Sequence, residues 1–275
     1  MKAYLLFHDD WYQYVKADYI ASLFSVAGFV VVRRKRDWWA KYLWKRCRRQ
    51  GFLKTLDEVA LRVYWILFKG RKEHRQLEAL MSDVKKRIAT AYKRPSITHI
   101  EDINSDDGRA KLRSLEPDVC VLMLHPMLTA RTFTIPPLGM LAFHPGVTPE
   151  YRGPHAVFWA TMLNEFWGIG WSLLRVDKGI DTGTVLAQGT CHSANPFEDS
   201  HVMMGHKSHV EGIPAVADIL TRLRLGESPT LKLANRRSMN HTHPGITDYI
   251  RYRRQLKRLK AGVARPGHPK PEEVL

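Results

Sequence analysis

Short apolar runs separated by helix-length segments constrain this chain most. Residues 4–8, 29–32, 119–124 and 138–143 are each only strand-length and apolar almost throughout. Runs without a polar alternate face suit strands covered on both sides, as in a parallel sheet flanked by helices. Between the first two runs, Tyr12, Tyr19, Leu23 and Val26 share one side of a helix over 12–26, which Gly28 breaks. Residues 97–103 add a strand and 107–115 a helix that Pro117 ends, and 154–164 and 201–224 add further helices. Residues 170–175 and 184–189 read as antiparallel partners. The order predicts an α/β fold with a mainly parallel sheet.

With 275 residues, 44% of them hydrophobic, the chain can bury a large core. Cys47, Cys120 and Cys191 lie far apart and form no C-x-x-C pair, which argues against a disulfide framework or a cysteine-built zinc site and suits a reducing compartment. The opening apolar run is too short for a signal segment, and no later run is long enough to span a bilayer. These features predict a cytoplasmic protein without stable membrane insertion. The turn after the first strand, HDDWYQ, has no glycine, and no G-x-x-x-x-G-K-[ST] occurs, which excludes dinucleotide and P-loop sites.

Lys and Arg number 43 against 27 Asp and Glu, a formal charge of +16 that attracts anionic partners. Residues 33–92 read as a basic helical insertion. Residues 33–50 alone hold nine cations with Trp38, Trp39 and Trp44. Three readings stay open for 33–50: packing on the sheet, contact with an anionic partner such as nucleic acid, and a membrane-surface helix. Trp38, Tyr42 and Lys45 share a helix side and Trp44 lies off it, which weakens the third. Residues 52–68 have Phe52, Leu56, Val59, Ala60, Val63 and Leu67 at helical spacing, and 72–91 put Leu77, Leu80, Met81, Val84 and Ile88 inward. Residues 201–260 read as a helical C-terminal extension, and 261–275, rich in Pro and Gly, as a disordered tail.

The chemistry concentrates in 115–190. His144 ends a predicted strand, at the edge where open α/β sheets bind ligands. DKGIDTG at 177–183 forms a tight loop that could bring Asp181 to His144, giving an acid/base pair. A hydrogen-bonded structural histidine and a plain hairpin turn are the competing readings.

L-x-P-D at 115–118, P-P-L-G at 136–139, H-P-x-x-x-P-x-Y-R-G at 144–153, Trp159-Ala160 and V-D-x-G-I-D-T-G at 176–183 follow one another in an order and spacing that resemble the folate-dependent formyltransferases. That family formylates methionyl-tRNA, glycinamide ribonucleotide and amino sugars. The resemblance implies a Rossmann-like catalytic domain over 1–200 using 10-formyltetrahydrofolate as co-substrate. The pterin would contact the loop with Leu124, Pro126, Met127 and Leu128, and the loop with Val176, Asp177 and Ile180. It makes His144 and Asp181 the catalytic histidine and aspartate, acting while an amine attacks the formyl carbon.

The family asparagine, two positions before the histidine, is here Ala142, which offers no hydrogen-bond donor. Loss of one oxyanion donor costs about a hundred- to a thousand-fold in turnover. His125 or His155 could substitute as an oxyanion or substrate contact. Alternatively the enzyme could hydrolyse 10-formyltetrahydrofolate, as in the related dehydrogenase, or the chain could be a catalytically weak folate- or RNA-binding module. Arg152 and Gly153 would fix the loop after His144. His201, His206, His209, His241 and His243 invite a metal reading, but no H-E-x-x-H or similar pattern accompanies them, so no metal is expected and a polar helix face and a loop are. The resemblance implies that tRNA-formylating members carry a separate C-terminal barrel that helps hold tRNA, and the length and composition after residue 200 argue against expecting one here. The expected reaction is therefore formyl transfer to the amine of a small biosynthetic substrate.

Overall fold

The computed structural model describes residues 1–33, 38–123, 127–233, 235–262, 267–271 and 274, with only the backbone for 38–42. Seven strands form one sheet in the order β3-β2-β1-β4-β5-β6-β7. They are β1 (Ala3–His8), β2 (Gly28–Val32), β3 (Ile97–Ile100), β4 (Val119–Met123), β5 (Met140–His144), β6 (Gly170–Arg175) and β7 (Val185–Thr190). β1 to β5 pair in parallel, and β6 and β7 add antiparallel strands at the edge. The third strand stops at Ile100, because 101–105 turn into α5 (Asp106–Ser114), which Ser105 caps by accepting from the Gly108 N–H.

The apolar runs bury both faces. Leu5 and Phe7 of β1 join the cluster under α1 (Trp11–Leu23), α4 (Gly70–Arg87) and α8 (His201–Arg224), whereas Tyr4 and Leu6 join the opposite cluster with Ile103 and Leu112. The result is helix on both sides of the sheet. β1 lies between β2 and β4, where the strand order reverses; ligands bind beyond the strand ends at such a point.

Two expectations about organisation change. α4 is the crossover helix between β2 and β3: Leu77, Met81 and Val84 are buried in the main core. Of the helices in 33–92, only α2 (Trp38–Gln50) and α3 (Phe52–Phe68) stand apart from the sheet. α8 is equally part of the core, through Met203, Val210, Ile213 and Ile219, rather than the start of an extension. α3 meets α7 (Ala156–Met162) and α9 (Ile246–Lys260) in a separate cluster of Leu61, Phe158, Tyr249, Tyr252 and Leu256. The face of α3 with Phe52, Leu56, Val63 and Leu67 points to solvent instead. The described part of the tail docks rather than trailing free: Trp167 Nε1 donates to the His268 carbonyl at 2.8 Å and Val274 is buried.

Candidate active site

β5 delivers His144 at its carboxyl end, and the chain turns back through Tyr151 beside it. The His144 Nε2–H donates to the Tyr151 carbonyl at 2.8 Å. That bond holds the ring and aims Nδ1 at Asp181, whose Oδ2 lies 3.6 Å away. The gap is slightly longer than a hydrogen bond and within reach of an ion pair.

The Asp181 loop is built by its own side chains. Asp177 Oδ1 accepts from the Gly179 N–H at 2.9 Å and from Thr182 Oγ1 at 2.6 Å, closing the turn after β6. Asp181 itself sits in the left-handed region at φ 49°. Position 183 must be glycine, because a Cβ there would stand 1.7 Å from the Arg175 carbonyl oxygen. Across the gap, the Gly153 N–H donates to Asp181 Oδ2 at 2.9 Å, and Arg152 Nη1 donates to the Ile180 carbonyl at 2.9 Å. Arg152 and Gly153 therefore clamp the loop that carries the aspartate.

These groups face a cleft of about 930 Å³. Ala142, His144, Asp181 and His155 all line it, as do Met127, Leu128, Val176, Asp177 and Ile180. Leu124, His125 and Pro126 lie outside the described residues. Asn104 braces the strap that follows them: its Oδ1 accepts from the Thr129 N–H and Thr132 Oγ1, each at 2.9 Å, while Nδ2 donates to the Met127 carbonyl at 3.0 Å. α6 (Ala130–Phe133) continues from that strap.

The histidines expected on a polar helix face and a loop instead form a wall of the same cleft. α8 contributes His201, His206 and His209, and the chain before α9 contributes His241 and His243. His201 and His209 are buried, because α8 packs this side against the sheet and α7. Burial and the neighbouring His155 keep His201 well below the usual imidazole range. Burial, with the charges of Arg46 and Arg62, holds His243 at about 4. No group of these side chains could hold a metal ion among the described residues.

Motif reasoning missed four further residues. Tyr12 of α1 and Arg46 and Arg49 of α2 also line the cleft. Behind its wall, Lys16 is buried, with Nζ 3.1 Å from His206 Nδ1 and 3.4 Å from His209 Nδ1. His209 Nε2 in turn donates to the Phe143 carbonyl at 3.0 Å, leaving Nδ1 as an acceptor for the lysine. Burial lowers Lys16 to about 7, so its amine readily gives up its proton near neutral pH. The only sequence signal was a lysine inside a helix with no distinct polar face.

Comparison with known proteins gives a consistent result. Residues 69–216 match the family described as formyl transferase. A methionyl-tRNA formyltransferase of Chloroflexus aggregans is 36% identical over 112 residues, covering 38% of this chain and 36% of that protein. A cytosolic 10-formyltetrahydrofolate dehydrogenase of Xenopus tropicalis is 26% identical over 125 residues, covering 45% of this chain and 14% of that protein. Among solved structures, a phosphoribosylglycinamide formyltransferase from Anaplasma phagocytophilum superposes with a TM-score of 0.53 at 10% identity, covering 87% of this chain and 97% of that one. The chain thus shares a fold with the last, and its alignment spans about a third of the curated Chloroflexus relative.

Proposed function

The chain belongs to the formyl transferase family, and we propose that its cleft transfers a formyl group from 10-formyltetrahydrofolate to the amine of a small substrate. The observation that carries this reading is the approach of His144 Nδ1 to Asp181 within 3.6 Å on the wall of one cleft. The lining suits the co-substrate: Leu122, Met127, Leu128, Val176 and Ile180 offer apolar contact for a flat ring, and Asp177 and the loop backbone offer polar contact at its edge. When bound, 10-formyltetrahydrofolate supplies an activated formyl carbon.

The chain's residues do the rest. The Tyr151 carbonyl fixes the imidazole, so a proton carried on Nδ1 points at Asp181 and into the cleft. From there His144 can donate to the formyl oxygen as negative charge grows on it. Asp181, held by the Gly153 N–H, orients the imidazole and receives the proton lost by the attacking amine, which is passed on to the departing folate nitrogen as its bond to the formyl carbon breaks. Holding amine and formyl carbon together in the cleft contributes further, since orientation alone can supply several kcal/mol.

Ala142 favours a second reading in which water is the acceptor. The side chain there offers no donor, so the transferase would work with one oxyanion contact fewer. Incubating the purified chain with 10-formyltetrahydrofolate tests both. Formylated product that depends on an added small amine supports transfer. Formate release at the same rate without any amine overturns it in favour of hydrolysis, and no consumption of the co-substrate removes both.

A further inference from the structure

The outer face of α3 is apolar and open to solvent along most of its length, with Val59 and Ala60 half-buried at its middle. Phe52, Leu53, Leu56, Val63, Ile66 and Leu67 are between 48% and 79% exposed. At about 100° per residue they span roughly 140° of the helix circumference, and Val59 and Ala60 fall inside that arc, so no polar side chain interrupts it. The stripe runs about 24 Å along the helix. The opposite side of α3 is already committed to α7 and α9 through Leu61, Tyr64 and Trp65. A patch of this kind on a protein surface marks an interaction site.

The charge around the stripe selects its occupant. α2, packed alongside, has no carboxylate and exposes Lys45, Arg48 and Arg49. Its Trp44 is 62% exposed, with the Arg48 guanidinium 4.6 Å above the ring. Arg71 and Lys72 are exposed just beyond the other end of the stripe. The two acidic residues of α3 turn inward: Glu58 pairs with Arg46, and Asp57 accepts from the Thr247 N–H and hydroxyl. A second copy seated on this face would set cations against cations. An apolar stripe with cationic flanks and an exposed tryptophan instead complements a surface that is apolar just beneath a layer of negative charge.

We propose that α3 and its α2 flank dock the protein on bilayers rich in anionic phospholipid, with the α3 stripe entering the headgroup–acyl boundary. The contact is peripheral, as no described helix is long and apolar enough to cross a membrane. None of the stripe residues lines the cleft, nor do Lys45 and Arg48, although Arg49 of the flank does, so the inference is tested at residues apart from the active site.

The test is flotation of the full chain with vesicles of phosphatidylcholine alone and of equal parts phosphatidylcholine and phosphatidylglycerol. The chain is expected to float only with the anionic vesicles. The double variant Leu56→Glu/Val63→Glu should lower partitioning at least ~10-fold by placing charge in the stripe. Lys45→Gln and Arg48→Gln should each lower it about fivefold. Far-UV circular dichroism checks that the variants fold, which exposed positions favour. Binding that persists in the Leu56→Glu/Val63→Glu chain would reduce the contact to charge alone and overturn the proposal. Failure to float with either vesicle also overturns it. Light scattering then assigns the stripe, to a second copy if the chain is a dimer that the double variant dissociates, and to an acidic partner protein if it is a monomer.

Discussion

His144 and Asp181 are each held by a backbone group, the Tyr151 carbonyl and the Gly153 N–H, so substituting either side chain leaves the turns' own backbone bonds in place. His144→Ala and Asp181→Ala should each lower turnover by about 10²- to 10⁴-fold while leaving the circular dichroism unchanged, and near-parental turnover in either would remove the pair from the mechanism. Ala142→Asn restores a donor on β5 where the cleft wall has none. It should raise transfer to an amine by roughly tenfold or more, whereas an unchanged rate would assign oxyanion stabilisation to another group such as His155. Lys16 gives a pH signature. Its value is about 7 in the folded chain against an ordinary 10.5, so between those limits the unfolded chain binds a proton that the folded one does not. Stability therefore rises with pH across that window, by up to about 1.4 kcal/mol per pH unit, and the contribution is lost as pH falls below about 7. Urea titrations at several pH values should show this slope, and Lys16→Met should abolish it. Pattern reasoning could find His144 and Asp181 because each sits in a recognisable turn motif. It could not find Lys16, because the partners of that amine come from α8, far along the chain.

The helices divide by what they cover. α4 closes the sheet, so Met81→Ala should cost about 2–5 kcal/mol in denaturant unfolding, as a core cavity does. Leu53→Ala on α3 removes an exposed side chain and should change stability by less than about 0.5 kcal/mol. Similar losses for both would mean that the stripe is covered in the folded protein. Both helices carry apolar residues at helical spacing, so periodicity detects each helix and cannot tell a face that meets the sheet from one that meets solvent. The same ambiguity made α8 look like an appended polar helix. Its histidines are polar by residue type, yet they point into a cleft that only the packing of α8 against β5 and β6 creates.

For the whole molecule, a ligand that binds only the folded state must raise its stability. A non-reactive reduced folate at a hundredfold excess over its Kd should add about 2.7 kcal/mol, read as an upward shift in Tm. Leu128→Asp, which puts a charge on the apolar part of the wall, should cancel the shift; a Tm unmoved by folate in the parent chain would remove the cleft as a folate site. The sequence by itself determined the strands and their parallel arrangement, because the apolar runs leave no polar face to expose. It also determined the two turns that carry His144 and Asp181, because glycine, aspartate and proline impose local backbone geometry. Only the tertiary structure decided that those turns meet, that α4 and α8 belong to the core, that five distant histidines share a wall, and that one face of α3 is left bare. Each of those depends on which surfaces of separate elements come into contact, and that information resides in no single stretch of chain.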